Sequence, residues 1–208
     1  MTQPRILFLF LCVALFFVTV KTLHADVRLG SARLGSARLG IGPAVDPCAG
    51  TPSAGTECTG GAKYVGTFDP LDGGGVKKYM TTPADAGLKQ WAPVFENNLT
   101  ATSTTDGSAN TVALEARGAT YAAGYYCGTL SANGYSDWFL PSRNELALLY
   151  ANKVAIGGFD VSGGWPASYY WSSTERDTNS AYDRIFSNNT LYNDVKSGAL
   201  SVRCVRRY

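Results

Sequence analysis

The order of the predicted elements along the chain indicates an α+β fold. Residues 62–80 have the pattern of a two-strand hairpin whose turn is Asp72-Gly-Gly-Gly75. Two helical segments follow, and residues 169–206 then carry a second group of short strands. Strands, then helices, then strands is the order of an α+β protein, whereas regular alternation of strands and helices would predict a parallel sheet.

The best-defined helix is predicted over residues 143–152. Ser142 stands three residues before Glu145, which is the spacing of a capping box. Apolar residues at helical spacing follow this cap. The polar side chains of Asp137, Arg143 and Glu145 allow two interpretations, a helix cap with a solvated face or a binding cluster. The capping spacing favours the first.

A longer helix is predicted over residues 110–130, because alanine and tyrosine side chains recur there on one helical face. In the last predicted strand, residues 199–206, Val202 and Cys204 alternate with Arg203 and its neighbours, so we expect one face to pack inward. The other strands are predicted at 169–174, 181–186 and 191–195, the last two joined by an asparagine-rich turn at 187–190.

The first 25 residues have the order of a secretory signal peptide. Arg5 precedes an apolar run at residues 6–20, and Ala25 is a small residue at the predicted cleavage site. A retained membrane anchor is the alternative. About 15 residues at about 1.5 Å each span about 22 Å, less than the roughly 30 Å hydrocarbon core of a bilayer. We therefore expect cleavage, and a secreted, periplasmic or cell-surface protein without a membrane span after cleavage.

Residues 26–47 are predicted to be a flexible tether. They contain the repeat Arg-Leu-Gly-Ser-Ala, with Arg28, Arg33 and Arg38 in step. A period of five fits neither a helix nor a strand, and regularly spaced glycine disfavours a helix. Residues 48–208 have the length of one domain with a sizeable core.

Charge and histidine content exclude two classes of function for the mature chain. The full sequence has 18 basic and 16 acidic residues, and loss of Arg5 and Lys21 with the signal leaves 16 of each. A nearly neutral chain does not indicate a nucleic-acid partner. The only histidine, His24, also leaves with the signal, which excludes histidine-based zinc or triad chemistry.

Four cysteines remain after the signal, and a secreted chain can pair them as disulfides. Three pairings are possible. We favour Cys48 with Cys58, which closes a local loop rich in glycine and proline, and Cys127 with Cys204, which ties a helix to the last strand. A thiol nucleophile or metal site is the alternative, and the sequence contains no Cys-x-x-Cys to support it.

Several motifs, spread along the chain, resemble one known family in both type and order. They are Cys127, Gly134-Tyr-Ser-Asp-Trp-Phe-Leu-Pro-Ser-Arg-Asn-Glu-Leu146, Tyr170-Trp-Ser-Ser-Thr-Glu175, Phe186 and Val202-Arg-Cys-Val-Arg206. This pattern is similar to the Lcl C-terminal domain family, which occurs in secreted or surface bacterial proteins. The segment Tyr79–Gly87 resembles the stretch that often precedes that domain, so the resemblance covers roughly residues 55–208.

The resemblance implies a C-type-lectin-like fold, in which two helices pack on a twisted antiparallel sheet with long loops on one side. It also implies a disulfide between Cys127 and Cys204. It implies binding and not catalysis, because the best-known relative is an adhesin domain that recognises sulfated polysaccharides. No collagen-like repeat precedes this copy, so the resemblance leaves the oligomeric state open.

No cofactor is predicted. The calcium-dependent sugar site of C-type lectins carries Glu-Pro-Asn and Trp-Asn-Asp. This chain lacks Glu-Pro-Asn, and its nearest string to the second motif is Tyr192-Asn-Asp194. Calcium therefore stays an alternative that no motif supports.

The candidate binding residues come from the polar and aromatic segment 175–197. Aromatic faces stack on sugar rings, while amide, carboxylate and guanidinium groups hydrogen-bond to hydroxyls or sulfates. A solvated surface is the alternative interpretation of each residue. The candidates are Arg176, Asp177, Asn179, Tyr182, Arg184, Asn188, Tyr192 and Lys196.

We therefore predict a recognition or adhesion domain that binds a glycan or another surface ligand. A protein-binding module is the alternative, since residues 170–206 also resemble the variable region of proteins diversified by retroelements. An enzyme like the formylglycine-generating oxidases is less favoured. Those enzymes need a reactive cysteine pair, and the long-range cysteines here have the pattern of a structural disulfide.

Overall fold

The computed structural model describes residues 46–93 and 100–208, all of which belong to one compact unit. The predicted signal peptide, residues 1–25, lies outside these ranges. So does the predicted tether, residues 26–47, apart from its last two residues. Within the two described ranges, no helix combines the length and the apolar character needed to cross a membrane.

The predicted α+β class is confirmed. Three strands precede the helices and five follow them within the described ranges. The strands are β1 (Lys63–Phe68), β2 (Lys77–Thr81), β3 (Leu88–Gln90), β4 (Tyr169–Glu175), β5 (Ser180–Ile185), β6 (Leu191–Val195), β7 (Ala199–Ser201) and β8 (Val205–Arg207). The helices are α1 (Gly107–Glu115), α2 (Ala122–Gly128), α3 (Arg143–Ala151) and α4 (Lys153–Ile156).

The described strands form two sheets and not a single one. The smaller sheet has the order β1-β2-β8 and is antiparallel. The larger has the order β3-β7-β4-β5-β6, in which β4 and β7 run parallel and the other neighbours run antiparallel. The expected hairpin over residues 62–80 is confirmed as β1 and β2.

The predicted capping box at the start of α3 is confirmed. The Ser142 hydroxyl accepts a hydrogen bond from the Glu145 backbone N–H, and the Glu145 carboxylate accepts one from the Ser142 N–H, at 3.3 Å and 2.7 Å. Both N–H groups would otherwise lack helical partners. The helix then runs over Arg143–Ala151, within one residue of the prediction.

The predicted single helix over residues 110–130 is wrong, because the chain reverses in the middle of it. Helix α1 ends at Glu115, and Gly118 has a φ of +86°, a left-handed conformation that glycine adopts without strain. Helix α2 then packs against α1. A Cβ atom on Gly124 would lie 2.5 Å from the Cβ of Leu114, so this close approach requires glycine.

The predicted last strand, residues 199–206, is also interrupted. It divides into β7 and β8, which belong to different sheets. Every residue from Leu200 to Arg206 is buried, so the expected alternation of inward and outward faces is wrong. The chain crosses between the two sheets here, and protein covers it on both sides.

Both predicted disulfides are confirmed. Cys48 pairs with Cys58 near the start of the described chain. Cys127, in α2, pairs with Cys204, in the crossing between β7 and β8. The second disulfide therefore ties the helical layer to the segment that links the two sheets.

Strand β4 connects the two cores of the molecule. Its neighbouring residues Tyr170 and Trp171 project to opposite faces of the sheet, and both are fully buried. Trp171 belongs to a core that also holds Trp91 and the cystines, whereas Tyr170 belongs to a second core with Phe186. This doubly covered strand is the rigid base from which β5 and β6 extend toward solvent.

Candidate functional site

The predicted binding segment forms an antiparallel hairpin at one edge of the larger sheet. Strand β5 pairs with β4 on one side and with β6 on the other, and β6 is the edge strand. The predicted turn at 187–190 is confirmed, with Asn189 at a φ of +69°. Large side chains of β6 are exposed to solvent, namely Leu191, Tyr192 and Val195.

An open pocket of about 450 Å³ lies at the end of this hairpin opposite the turn. Its volume is within the range of small-ligand sites. The loop between β4 and β5 forms one wall, and the end of β6 forms the other. The lining residues are Arg176, Asp177, Thr178, Asn179, Ser180, Asn193, Asp194 and Val195.

Local hydrogen bonds fix the shape of the pocket rim. The Asp177 carboxylate accepts hydrogen bonds from the backbone N–H groups of Asn179 and Ser180, at 2.9 Å and 2.8 Å. These bonds hold the pKa of Asp177 below its usual range. The Arg176 guanidinium donates to the side-chain oxygen of Asn193 at 2.6 Å, which joins the loop to β6. The rim is thus ordered before any ligand arrives.

Three of the candidates predicted from the sequence meet in this pocket: Arg176, Asp177 and Asn179. All three are exposed. The pocket adds Asn193 and Asp194, which lay inside the predicted segment but were not singled out. Their alternation along a strand at the sheet edge did not show which side chains would reach the neighbouring loop.

Lys196 is fully buried and cannot meet a ligand from this surface. Its ammonium lies 2.5 Å from the Glu175 carboxylate, which is also closed to solvent, and 5.1 Å from the centre of the Trp91 ring. Its backbone N–H donates to the Asn179 carbonyl at 2.9 Å. The residue therefore supports the pocket from below.

Three other candidates lie away from the pocket. Arg184 is 8% exposed and donates two hydrogen bonds to Asn189, so it braces the hairpin turn. Asn188 is exposed in that same turn, where its side chain accepts a hydrogen bond from the backbone of Thr190. Tyr182 is half-buried, with the Arg143 guanidinium 5.0 Å from its ring centre. The sequence segment thus divides into a pocket end and a turn end.

Tyr192, the remaining candidate, lies on β6 between the hairpin turn and the pocket residues Asn193 and Asp194. Its ring is 48% exposed and contacts the ring of Tyr169 edge-on, with centres 6.4 Å apart. Trp165 is 63% exposed and donates a side-chain hydrogen bond to the carboxylate of Asp194, a pocket residue. Trp165 was not among the binding residues predicted from the sequence. A tryptophan within a glycine-rich segment was the available sequence signal for a surface role.

The polar residues around α3 have structural roles. Glu145 is buried and accepts hydrogen bonds from the Tyr79 hydroxyl and from the backbone of Gly107, in addition to its bond within the cap. Asp137 forms a bidentate ion pair with Arg206, at 2.7 Å and 2.9 Å. These contacts support the cap interpretation of this cluster for Glu145 and an ion-pair role for Asp137.

The described part of the chain contains no group of three or more histidine, cysteine or carboxylate side chains placed to hold a metal. The four cysteines in that part are all joined in the two disulfides. The side chains that line the pocket offer hydrogen bonding and charge.

The family assignment follows from the region that builds this site. A sequence profile of the Lcl C-terminal domain matches residues 81–206, which include β4, β5, β6 and all the pocket residues. The chain belongs to the Lcl C-terminal domain family. Within this Lcl C-terminal domain, Cys127, Cys204 and the α3 cap all lie inside the matched region. No curated protein matches the chain.

Proposed function

We propose that this Lcl C-terminal domain is a recognition module that binds a glycan in the pocket between the β4–β5 loop and β6. One observation carries the proposal. The pocket places the guanidinium of Arg176, the amides of Asn179 and Asn193 and the carboxylate of Asp194 around one open volume. Planar amide, carboxylate and guanidinium groups match pairs of sugar hydroxyls.

The neighbouring aromatic rings support a sugar ligand. Trp165 is exposed and hydrogen-bonded to the pocket residue Asp194, and Tyr192 is exposed on β6 two residues before Asp194. An aromatic side chain offers a large apolar contact at a small cost in conformational entropy, and Tyr and Trp also retain a polar end.

The charges around the pocket favour a neutral, hydroxyl-rich glycan over a heavily sulfated one. Among the lining residues, Arg176 is the one cationic side chain, and its guanidinium lies 3.5 Å from the Asp177 carboxylate. Asp194 adds a second carboxylate. Lys196 and Arg184, which could have supplied further positive charge, are buried. We therefore expect binding to depend only weakly on salt.

We propose that the domain acts at the cell surface, in the periplasm or in the surrounding medium, and that it binds without catalysis. Two disulfides within the described chain support an oxidising compartment. The same disulfides occupy the cysteines that an oxidase chemistry would need. We also propose that the fold is C-type-lectin-like, which the cystine between a helix and the terminal strand segment supports.

A glycan-array screen of the full chain, purified in its oxidised form, tests the proposal at two salt concentrations. We expect selective binding to neutral or weakly charged glycans. Arg176→Ala should weaken that binding about tenfold or more, since a hydrogen bond to a charged group contributes about 1.5–3 kcal/mol. Tyr192→Thr should also weaken it, because threonine keeps the strand propensity and removes the ring.

Arg117→Ala is the matched control, because Arg117 is also an exposed arginine but follows α1 and does not line the pocket. It should bind like the wild type. Absence of glycan binding at both salt concentrations would refute the proposal. Binding that is unchanged by both pocket variants would refute the site.

A protein ligand is the second candidate, because β6 is an exposed edge strand. The outer side of an edge strand has backbone groups that can pair with an extended peptide. Leu191 and Val195 are both exposed on β6. If the array is negative, capture of a surface protein would favour this candidate, provided that Val195→Pro abolishes the capture. The control Val112→Thr, at an exposed valine of α1, should retain it.

A further inference from the structure

Two carboxylates on neighbouring strands have buried oxygens without hydrogen-bond partners. Asp183, in β5, is fully buried, and neither of its carboxylate oxygens has a partner. Asp194, in β6, has one such oxygen, Oδ2. A buried carboxylate without a donor is costly, and proteins that keep one usually supply a cation, a proton or a hydrogen bond.

The strand register places these two side chains on the same face of the sheet. Asp183 is opposite Tyr192, and Asp194 is opposite Ala181, so the two aspartates are diagonal neighbours. Side chains at such positions lie within about 7–8 Å of each other. Their charges interact, since burial and then the Asp194 carboxylate raise the pKa of Asp183 to about 8.

The pocket, Trp165 and Arg184 surround this pair of aspartates. Asp194 lines the open pocket, and its unpartnered oxygen is buried behind that lining. Trp165 donates to the Asp194 carboxylate, which orients that side chain. Arg184, the neighbouring cation in the sequence, donates its hydrogen bonds to Asn189 at the hairpin turn, and its charge acts to lower the pKa of Asp183 against the larger effect of burial.

We propose that Asp183 and Asp194 together bind a hard, oxygen-preferring cation such as Ca²⁺. Two carboxylates supply up to four oxygens, and water from the pocket can complete a shell of about six to eight. The bound cation would neutralise both charges and hold β5 and β6 together beneath the pocket. Asp194 also belongs to the proposed glycan pocket, but the readouts here are ion binding and stability, so failure of this inference is distinguishable from failure of the proposed function.

The test uses the full chain in metal-free buffer at pH 7.5, with Mn²⁺ as the probe. Electron paramagnetic resonance should count one bound Mn²⁺ per chain, and excess Ca²⁺ should displace it. Thermal unfolding should shift upward with Ca²⁺, since a ligand at ten times its Kd lowers the unfolding equilibrium constant about elevenfold. Asp183→Asn and Asp194→Asn should each lose both effects.

Asp69→Asn is the matched control, because the asparagine oxygen can still accept the hydrogen bond that Asp69 receives from Leu71 in its turn. It should retain the ion response. Two results would overturn the proposal: no bound Mn²⁺ together with no effect of Ca²⁺ on unfolding, or an unchanged ion response in both aspartate variants. If Asp183→Asn is more stable than the wild type in metal-free and in calcium buffers alike, the pair holds a shared proton in place of a cation.

Discussion

The ammonium of Lys196 lies 2.5 Å from the carboxylate of Glu175, and both side chains are closed to solvent. The pair joins the end of β4 to the residue that follows β6, directly below the candidate pocket. The Trp91 ring lies 5.1 Å from the ammonium and forms part of its surroundings. The wall of the pocket is therefore held from inside the domain by opposite charges.

Loss of one member of this pair should destabilise the fold strongly. Lys196→Met leaves the Glu175 carboxylate buried without the ammonium, which should lower the free energy of unfolding by about 3–5 kcal/mol. The double variant with Glu175→Leu should recover much of that loss, and urea unfolding measures both. Lys63→Met, which breaks an exposed pair with Glu57, should have little effect. Additive losses in the double variant would contradict the prediction.

Arg203 should not tolerate replacement by lysine. Its guanidinium donates to the Asp85 carboxylate at 2.6 Å and to the carbonyls of Thr82 and Gly158 at 2.7 Å and 2.5 Å. A lysine ammonium lacks the planar fork that spans these acceptors. Arg203→Lys should lower the free energy of unfolding by about 2–3 kcal/mol. Hydrogen exchange should also become faster around Gly158, in the loop that leads to Trp165.

The exposed arginine at the pocket is the control for that change. Arg176→Lys keeps a positive charge at a position where the side chain is 46% exposed, so stability should remain close to that of the wild type. Equal destabilisation by the two lysine variants would show that burial of the Arg203 guanidinium is not what makes it necessary.

The two disulfides should differ in their contribution to stability. The Cys127–Cys204 bond joins residues 77 apart, and the Cys48–Cys58 bond joins residues 10 apart. The chain-entropy model then gives about 4–5 kcal/mol for the longer loop and about 3 kcal/mol for the shorter one. Paired alanine substitutions, compared by denaturant unfolding, measure the two values. A larger loss for the Cys48 and Cys58 pair would contradict this order.

The free energy of unfolding should decrease as the pH rises from about 4.5 to about 7, because of the buried carboxyl of Glu145. Burial raises the pKa of this carboxyl from 4.5 to about 7, against hydrogen bonds from Ser142, Tyr79 and Gly107 that lower it. The folded state therefore binds more protons than the unfolded state in this window, so the free energy of unfolding decreases as the pH rises through it.

Glu145→Gln should remove this pH dependence. A glutamine can still serve in the cap but does not titrate. The difference in the free energy of unfolding between the wild type and the variant should change by up to about 3 kcal/mol from pH 4 to pH 8. Urea unfolding at four pH values measures it. A difference that is constant over this range would show that the carboxyl keeps its ordinary pKa.

Local chemistry explains which elements the sequence could predict. The capping box of α3 depends on two residues three positions apart, and the β1–β2 hairpin depends on one turn, so each is visible in a short window. The break between α1 and α2 depends on the packing of Gly124 against Leu114, ten residues away. Helical periodicity continues across such a break, because both helices place alanine and tyrosine on their buried faces.

For the polar residues of the site, too, the sequence could identify only those whose role depends on nearby residues. Arg176, Asp177 and Asn179 were identifiable because they occupy a polar loop next to a strand. Lys196 has the composition of a surface residue, and its burial depends on Glu175 and on Trp91, more than a hundred positions earlier. Lysine is rarely buried without a partner, and a single sequence does not reveal that partner.

The position of the Cys127–Cys204 bond has a mechanical consequence. The chain from residue 127 to residue 204 contains Trp165, the pocket and the β5–β6 hairpin, and the bond closes it into a loop. When the protein is pulled by its two ends, the tension passes through the cystine and bypasses that loop. About 260 Å of potential extension is thereby withheld, since an extended chain adds roughly 3.4 Å per residue. A ligand held in the pocket would be held by a part of the molecule that stretching from the termini does not unravel.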